Sequence, residues 1–377
     1  MIKFAETIII GGGISGLSCA RKLKDNEKEF LLITENIGGR IISSSDGKIN
    51  YGAYFVGSDY GYVKNFVKIG RRISIFDIKF HNKKNSYFIF SCIKYLLQVI
   101  KFISILIKFR FHYNNMKKKC ETMSQKEAIE SDKYLFELYN KKADKFIKDN
   151  GVFDFVDKYL GEAFYALSFS KINEVYSFEF LRWMQYFIFS IYEFIFLKDR
   201  IINGFKKKIV FDSAVSIKQD KLFYNIKTLN GKNYLAKNVV VATSPNISKN
   251  LLNLKKIKKP TNCYMYHVNG NIVDNFHDVD FELFHEGYEL FNLAYQNDGS
   301  YLFYSNHPNI NFYKYFKKYK ILAKKYWNPA FNIRGNELLD CEIKNNLYLI
   351  GDHNIGGLED SFITGVYAAN RIINLKS

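Results

Sequence analysis

Three glycines near the N-terminus have the types and spacing that a dinucleotide-binding turn requires. Gly11, Gly13 and Gly16 follow an apolar run with strand character and open a stretch with helical character, in which Ile14 and Ser15 come first. The first glycine permits a tight turn, the second lets a pyrophosphate approach the backbone, and the third lets helix and strand pack closely. The helix N-terminus then faces the phosphate charge. The pattern predicts that these five residues hold a dinucleotide.

A carboxylate stands at the end of the next predicted strand. Glu35 follows the apolar run 30–34 and lies 19 residues after Gly16. A carboxylate at this place accepts hydrogen bonds from the hydroxyl groups of an adenosine ribose, and its charge disfavours a 2′-phosphate. The strand, turn, helix, strand and acid together predict a βαβ unit that binds NAD or FAD, and they disfavour NADP.

The elements that must position these residues alternate between strands and helices. After the first strand we predict a helix at 15–23 and a strand at 30–34. Strand patterns return at 209–245, and the chain closes with a strand at 347–350 and a helix at 363–374. This alternation predicts an α/β fold.

The middle of the chain has helical and aromatic patterns. Residues 114–150 are polar and lysine-rich, which favours exposed helices, whereas 175–200 is apolar nearly all round and favours a buried helix. Residues 260–305 have the pattern of short strands and loops. These segments predict a second region, of mixed helix and strand, between the parts of the α/β unit.

Residues 87–112 combine a long apolar stretch with regularly spaced polar side chains. Lys94, Gln98, Lys101 and Lys108 interrupt the stretch at spacings near one and two helical turns, so they share one face. The result is a basic amphipathic helix rather than a clean membrane-spanning segment. Two interpretations stay open: a helix packed on the protein with a solvated lysine stripe, or one that lies in the interface of an anionic membrane.

The bulk composition is that of a globular protein with a strongly basic balance. The chain has 377 residues, which is enough for a large core. Its content of 47% hydrophobic and 24% charged residues excludes a disordered chain. A net charge of +18 is compatible with an anionic membrane or substrate, with nucleic acid, or with lysine enrichment that serves no partner. Because no nucleic-acid-binding motif accompanies the charge, we expect no nucleic-acid partner.

The five cysteines are scattered along the chain, and none has the spacing of zinc ligands. Such a set fits free thiols in a reducing compartment, and the first apolar run leads directly into glycines rather than forming a secretory signal. We therefore expect a cytoplasmic protein without a bound metal, and peripheral contact with a membrane stays open. The oligomeric state has no signature in the sequence.

Further segments connect the glycine turn to a known family. The matching blocks are Gly38-Gly39-Arg40, then 50–55, 213–217 and 239–245. With them the sequence resembles the superfamily of flavin amine oxidases, phytoene desaturases and protoporphyrinogen oxidases. The resemblance implies that the GGR block lies beside the pyrophosphate of FAD, that the second block passes the flavin, and that the third meets the adenine. The implied contacts are Gly39, Arg40, Gly52, Ala53, Tyr54 and Val215.

The C-terminal match is the most specific. Residues 346–352 resemble the family motif LYLAGD, and 361–370 resemble its closing helix, with Thr364 in the place of a serine. The resemblance implies that Gly351 and Asp352 meet the ribityl chain or the pyrophosphate. It also implies that the helix N-terminus, with Ile363 and Thr364, aims its backbone N–H groups at the flavin pyrimidine, where negative charge grows on reduction.

The resemblance also implies an architecture. It is an α/β fold with a discontinuous, Rossmann-like FAD-binding domain into which a mixed α+β substrate domain is inserted. The implied FAD-binding domain comprises residues 1–70, 200–250 and 335–377, and the substrate domain comprises 71–199 and 251–334. No cysteine has a context that suggests covalent flavin, so the implied cofactor is non-covalent FAD.

The implied activity is transfer of a hydride from an amine, sugar derivative or lipid-like substrate to flavin N5, with reoxidation by oxygen or another acceptor. Tyr54, Phe55 and Trp327 are candidates for the substrate pocket, although packing alone would also explain each of them. The strand near 264–268, where amine oxidases place a lysine, contains none, so no catalytic residue is assigned. Two alternatives stay open: a flavin-binding electron carrier without catalysis, and a peripheral membrane scaffold.

Overall fold

A computed structural model of the chain describes residues 2–74, 77–81, 86–276 and 279–374. The helices are α1 (Ile14–Asp25), α2 (Leu96–Lys119), α3 (Gln125–Glu130), α4 (Lys133–Asn140), α5 (Ala143–Asp149), α6 (Phe153–Phe155), α7 (Gly161–Ser168), α8 (Ser177–Met184), α9 (Lys198–Ile201), α10 (Pro245–Leu252) and α11 (Leu358–Asn374). The strands are β1 (Ile2–Ile10), β2 (Phe30–Thr34), β3 (Val56–Gly57), β4 (Val67–Ile73), β5 (Ile78–His81), β6 (Ser86–Phe88), β7 (Ile191–Phe196), β8 (Ile209–Phe211), β9 (Ala214–Asp220), β10 (Phe223–Thr228), β11 (Asn233–Val241), β12 (Lys259–Ile272), β13 (Phe281–Phe284), β14 (Leu290–Tyr295), β15 (Tyr301–Ser305), β16 (Phe316–Arg334), β17 (Glu342–Lys344) and β18 (Leu347–Leu349).

The first sheet is built on five parallel strands in the order β18, β11, β1, β2 and β8. Antiparallel neighbours extend it: β17 pairs with β18, and β10 and β9 follow on from β11. The central strands β1, β2 and β11 carry continuous runs of buried Ile, Leu and Val, as strands do when both sheet faces are covered. This sheet joins segments that are more than 300 residues apart in the chain.

Two helices cross closely on the first sheet. α1 connects β1 to β2, and α11 packs against α1. Gly365 makes the close crossing possible, because a Cβ atom there would lie 2.1 Å from the Ser15 carbonyl oxygen and 2.1 Å from the Ser18 hydroxyl. Ser18 donates a hydrogen bond to the Phe362 carbonyl at 2.8 Å. The C-terminal helix is therefore fixed directly beside the N-terminal βαβ unit.

A second sheet and the helices α2 to α8 form the other large part of the structure. The order of its strands is β16, β12, β15, β14, β13, β5 and β6, and the long pair β12–β16 forms its outer ribbon. The largest buried hydrophobic cluster lies between this sheet and the helices and is rich in aromatic rings, among them Phe80, Phe102, Phe109, Phe164, Phe178 and Phe180. A small sheet of β3, β7 and β4 adjoins both parts.

The predicted fold class is confirmed: the protein is α/β, with a Rossmann-like unit assembled from distant segments and a second region of mixed helix and strand. The prediction of a helix at 175–200 is correct only for the first part of this range, where α8 lies. α8 ends at Met184, and β7 pairs with β4 and β3. The aromatic and β-branched residues of β7 suit a strand, but their partners lie more than 100 residues earlier in the chain.

The helix predicted at 87–112 begins later. β6 and a 3-10 helix, Ile89–Tyr95, precede α2, which continues to Lys119. No helix in the described part of the chain has the length and apolar character to cross a membrane.

Candidate functional site

The ends of the parallel strands bring the predicted residues to one edge of the first sheet. Gly11 follows β1, Glu35 follows β2, Ala242 follows β11 and Gly351 comes two residues after β18. The chain order reverses at β1, because β2 lies on one side of it and β11 on the other. Ligands of open α/β sheets bind in the crevice at such a switch point, outside the carboxyl ends of the strands.

The three glycines of the motif differ in their steric surroundings. Gly11 has a φ of +110°, and a Cβ atom there would lie 2.5 Å from the Ala242 carbonyl oxygen. A Cβ on Gly16 would lie 1.9 Å from the Gly11 carbonyl oxygen, so this glycine permits the packing of α1 on the turn. A Cβ on Gly13 would have no atom of the described residues within 4 Å. Gly13 therefore borders open space.

The same open space meets the N-terminus of α1. Gly13 is the N-cap of this helix and offers no side chain, and the first turn contains no acidic residue. Ile14 and Ser15 form the start of the helix. Backbone N–H groups and the positive end of the helix dipole thus face a place where an anion gains stabilisation.

Glu35 lies beside the segment that the sequence predicted for the adenine. Its side chain accepts a hydrogen bond from the Ser213 hydroxyl at 2.6 Å, because β8 runs next to β2 and leads into Ser213. Val215 follows on β9 with about half of its side chain exposed, and Glu35 is exposed as well. Sequence reasoning assigned no role to Ser213, whose contact depends on the sheet order.

Arg40 and Asp352 form an ion pair that links the two ends of the chain. Arg40 Nη2 lies 2.7 Å from Asp352 Oδ1, and Asn332 donates to Asp352 Oδ2 at 3.2 Å. Burial alone would raise the pKa of Asp352, but the charge and hydrogen bond of Arg40 outweigh it and hold the pKa at about 2. The Arg40 side chain is 35% accessible, whereas its partner Asp352 is buried.

Gly351, Thr364 and Ser15 meet where α11 passes α1. The Gly351 N–H donates to Thr364 Oγ1 at 2.9 Å, and a Cβ on Gly351 would lie 3.5 Å from the Ser15 hydroxyl. α11 begins at Leu358, five residues before the predicted start at Ile363. Ile363 and Thr364 therefore lie in the second turn of the helix and not at its N-terminus.

The earlier start of α11 has a physical cause in Glu359 and Asp360, the acids of its first turn. Acidic side chains stabilise a helix N-terminus, and both residues are buried. The Glu359 carboxylate accepts backbone N–H groups at 2.6 to 3.0 Å from Gly61, Tyr62 and Val63. Glu359 thus caps the 3-10 helix Val63–Phe66.

Aromatic side chains surround the predicted flavin segment. Gly52 packs on Trp327, whose ring would lie 3.0 Å from a Cβ at position 52. Phe55 makes an edge-to-face contact with Tyr186 at 5.2 Å between ring centroids. The Tyr54 hydroxyl accepts a hydrogen bond from Gln296 at 2.9 Å, and burial raises the pKa of Tyr54.

Backbone contacts hold this segment against the Arg40 loop. The Ala53 N–H donates to the Arg40 carbonyl at 3.1 Å, and Arg40 Nη1 donates to the Ala330 carbonyl at 3.2 Å. Since Ala330 and Trp327 both belong to β16, the second sheet contributes its end to the same place as the GGR loop.

His353 is a residue of this region to which the sequence assigned no role. It directly follows Asp352, and its ring is buried. Burial lowers its pKa to about 4, so the ring is neutral near pH 7. Its position directly after Gly351 and Asp352 is the sequence feature that could have identified it.

The buried ring predicts a pH effect on stability. The pKa of His353 is about 4 in the folded chain and near 6.5 in the unfolded chain, so the unfolded state binds more protons between these values. Stability should fall as the pH drops from 6.5 to 4, by an amount on the order of 3 kcal/mol from this group. Urea unfolding of wild type and His353→Leu across this range measures it. Equal pH slopes for the two proteins would contradict the prediction.

Lys258 is a second residue that the sequence pattern did not reveal. It precedes β12, is buried, donates from Nζ to the Asn354 carbonyl at 2.6 Å, and lies 4.7 Å above the Tyr139 ring. Burial lowers its pKa to about 8. These contacts tie β12 to the loop after Asp352.

Comparisons with known proteins agree with this geometry. The family model for an NAD(P)-binding Rossmann-like domain matches residues 9–69. No curated protein sequence matches the chain. Putrescine oxidase bound to putrescine is similar in structure, with a TM-score of 0.70 and 8% identity over 99% of this chain and 100% of that one.

Two further solved structures are similar over nearly their whole length. Cyclohexylamine oxidase from Brevibacterium oxydans IH-35A has a TM-score of 0.67 and 13% identity, covering 98% of each chain. A provisionally assigned protoporphyrinogen oxidase from Exiguobacterium sp. 255-15 has a TM-score of 0.68 and 10% identity, covering 99% of each chain. The chain therefore shares its overall fold with these three oxidases, as the resemblance of its sequence predicted.

Proposed function

We propose that this protein is an FAD-dependent oxidoreductase that takes a hydride from an organic substrate. The observation that carries the proposal is the meeting of the glycine turn, Glu35 and the Arg40–Asp352 pair at the switch point of the parallel sheet. The open space at Gly13 and the uncapped start of α1 fit a pyrophosphate, and exposed Glu35 fits an adenosine ribose. The structural similarity to putrescine oxidase and cyclohexylamine oxidase supports an oxidase activity.

When bound, FAD supplies the chemistry by accepting two electrons from the substrate as a hydride at N5. The chain's own residues bind and orient. α1 and Arg40 would hold the phosphates, while Tyr54, Phe55 and Trp327 would line the substrate side and exclude water. An amine, a sugar derivative or a lipid-like molecule fits such an aromatic wall. Oxygen or another acceptor would reoxidise the cofactor.

The domain division belongs to the proposal. The FAD-binding domain would comprise residues 1–70, 200–250 and 335–377, and the substrate domain 71–199 and 251–334. Sheet membership supports it, because the first sheet draws on β1, β2, β8 to β11, β17 and β18, and the second on β5, β6 and β12 to β16. Peripheral contact with an anionic membrane through 87–112 is also proposed here, for a cytoplasmic protein.

The colour of the purified protein and the bleaching of its flavin by substrates test the proposed function. The purified protein should be yellow, with the visible absorbance of a flavin, and should release FAD on heating, since the proposed cofactor is non-covalent. A panel of amines, sugar derivatives and lipid-like alcohols should include a compound that bleaches the flavin anaerobically. A colourless protein that takes up no added FAD would contradict cofactor binding. Flavin that no organic substrate reduces would instead favour the electron-carrier alternative.

The Glu35→Arg variant tests the adenosine end of the site. We expect at least tenfold weaker FAD binding, because the ribose loses its acceptor and Ser213 loses its partner. Glu29→Arg is the matched control, since it makes the same charge change at an exposed position before the other end of β2. Titration of the two apoproteins with FAD measures the difference. Full FAD occupancy in Glu35→Arg would show that the adenosine lies elsewhere.

A further inference from the structure

The outward side of α2 and of the turn before it is apolar. Ile93 is 75% exposed and Leu97 is 84% exposed. Five more large apolar side chains of the same surface are exposed by 38% to 66%: Leu96, Ile100, Ile103, Ile107 and Phe111. Apart from Leu97, the members of this set recur at intervals of three or four residues, which places them on one side of the helix. We name these seven residues the α2 face.

The opposite side of α2 fixes the helix to the protein. Its buried residues pack into the large aromatic cluster, with Phe102 against Phe155 and Phe180, and Phe109 against Phe178. Gln98 adds hydrogen bonds to Asp154 and to the Phe155 N–H. The α2 face is therefore held rigidly outward, and no residue of the described part of the chain encloses it.

The surroundings of the α2 face are basic. Lys94, Lys101 and Lys108 are exposed and recur every seven residues along one border of the face. The helix ends in three consecutive lysines, 117–119, of which Lys117 pairs with Asp59 at 3.0 Å. The segment from 86 to 120 itself contains no Asp or Glu, so its other lysines add positive charge beside the exposed aliphatic side chains.

This combination suits one kind of partner. Interfacial helices bury aliphatic side chains at the boundary of headgroups and acyl chains, and lysines at the border reach the anionic headgroups with their ammonium groups. A second copy of this chain is a poor occupant, because a face-to-face contact would bring two positively charged segments together. A helix of 24 residues extends about 36 Å, enough to lie along a bilayer surface.

We propose that the α2 face docks the protein on an anionic lipid bilayer, with the axis of α2 parallel to the membrane plane. The seven apolar side chains enter the headgroup boundary, and Lys94, Lys101 and Lys108 contact anionic headgroups. The docking is independent of the cofactor, because the α2 face contains none of the residues that form the dinucleotide site.

Vesicle flotation tests the docking. The full chain is mixed with phosphatidylcholine vesicles that contain either no or roughly 30% phosphatidylglycerol, at about 0.1 M and about 0.5 M salt. We expect flotation with the anionic vesicles at low salt, and at least tenfold weaker binding with neutral vesicles. The double variant Leu97→Glu/Ile100→Glu should lose at least tenfold in affinity for anionic vesicles. The variant with Lys94, Lys101 and Lys108 changed to Gln should lose most of the salt dependence.

The control places the same charges on another exposed apolar pair. Leu222→Glu/Leu229→Glu changes two leucines that are 79% and 73% exposed near the turns at either end of β10, and it should float like wild type. Thermal unfolding checks that both double variants fold. We expect that they do, because all four substituted positions are exposed. Wild type that stays unbound on anionic vesicles would overturn the proposal, as would equal flotation of the Leu97→Glu/Ile100→Glu variant. A lipid-free dimer that this variant converts to monomer would also overturn it, in favour of a protein contact. Flavin content, read on the same samples, separates these outcomes from failure of the proposed function.

Discussion

The Gly13→Ala variant should fold normally and bind FAD at least tenfold more weakly than wild type. A Cβ at this position has no atom within 4 Å, and the φ of −72° is one that alanine adopts without strain. The added methyl group would occupy the space before the start of α1, where a pyrophosphate must approach the backbone. The thermal midpoint of the apoprotein should therefore stay unchanged while the titration with FAD weakens.

Gly16→Ala gives the complementary result. Its Cβ would lie 1.9 Å from the Gly11 carbonyl oxygen, so the turn and α1 must separate before the residue fits. We expect the apoprotein itself to lose about 1–3 kcal/mol of stability, as overpacked positions do. Apoprotein unfolding and FAD titration, measured on both variants, distinguish the two roles. Full FAD affinity in Gly13→Ala would show that the pyrophosphate does not bind at this position.

The residues whose positions could be predicted from the sequence are those whose positions depend on near neighbours. Gly11, Gly13 and Gly16 lie within one turn, and Glu35 follows the strand that the same βαβ unit creates. The class of fold followed from this unit and from the resemblance at the C-terminus. The Arg40–Asp352 pair confirms that both ends of the chain meet, as the resemblance implied.

The residues that were missed depend on partners far along the chain. The sequence predicts a helix where β7 lies, because the pairing of β7 with β4 has no local signature. It predicts the start of α11 five residues late, since the buried Glu359 is stabilised by N–H groups almost 300 residues away. Ser213 reaches Glu35 only because β8 lies beside β2. In each case the local pattern was compatible with a second structure, and a long-range contact decided between them.

The α2 face shows the same limit in another form. The sequence identified the lysines of 87–112 as the exposed side of a helix, and Lys94, Lys101 and Lys108 are exposed. The pattern did not reveal that seven large apolar residues share the outward side, because a segment with apolar residues on most of its circumference has no single preferred buried face. The packing of Phe102 and Phe109 into the aromatic cluster determines which side of α2 is buried.

Arg182→Met should lower the free energy of unfolding by about 3–5 kcal/mol. Arg182 is buried on α8, with Nη2 at 2.5 Å and Nε at 3.1 Å from Glu179 Oε1, and the loop before α11 wraps around it. Asp360 is also close enough to act on its charge. Methionine retains much of the volume but leaves two buried carboxylates without this cation, and an unpaired buried charge is strongly unfavourable. The midpoint of urea unfolding measures the loss.

Two controls show whether the buried charge is the cause. Arg21→Met breaks the more exposed pair with Asp25, 2.9 Å apart, and should change stability by no more than about 1 kcal/mol. Adding Glu179→Gln to Arg182→Met removes one of the two uncompensated charges, so the double variant should be more stable than Arg182→Met alone. If Arg182→Met were no more harmful than Arg21→Met, the contact between α8 and the start of α11 would not depend on charge. The buried acids of α11 would then be held by uncharged donors, namely the Tyr113 hydroxyl, 2.6 Å from Asp360, and the backbone N–H groups that Glu359 accepts.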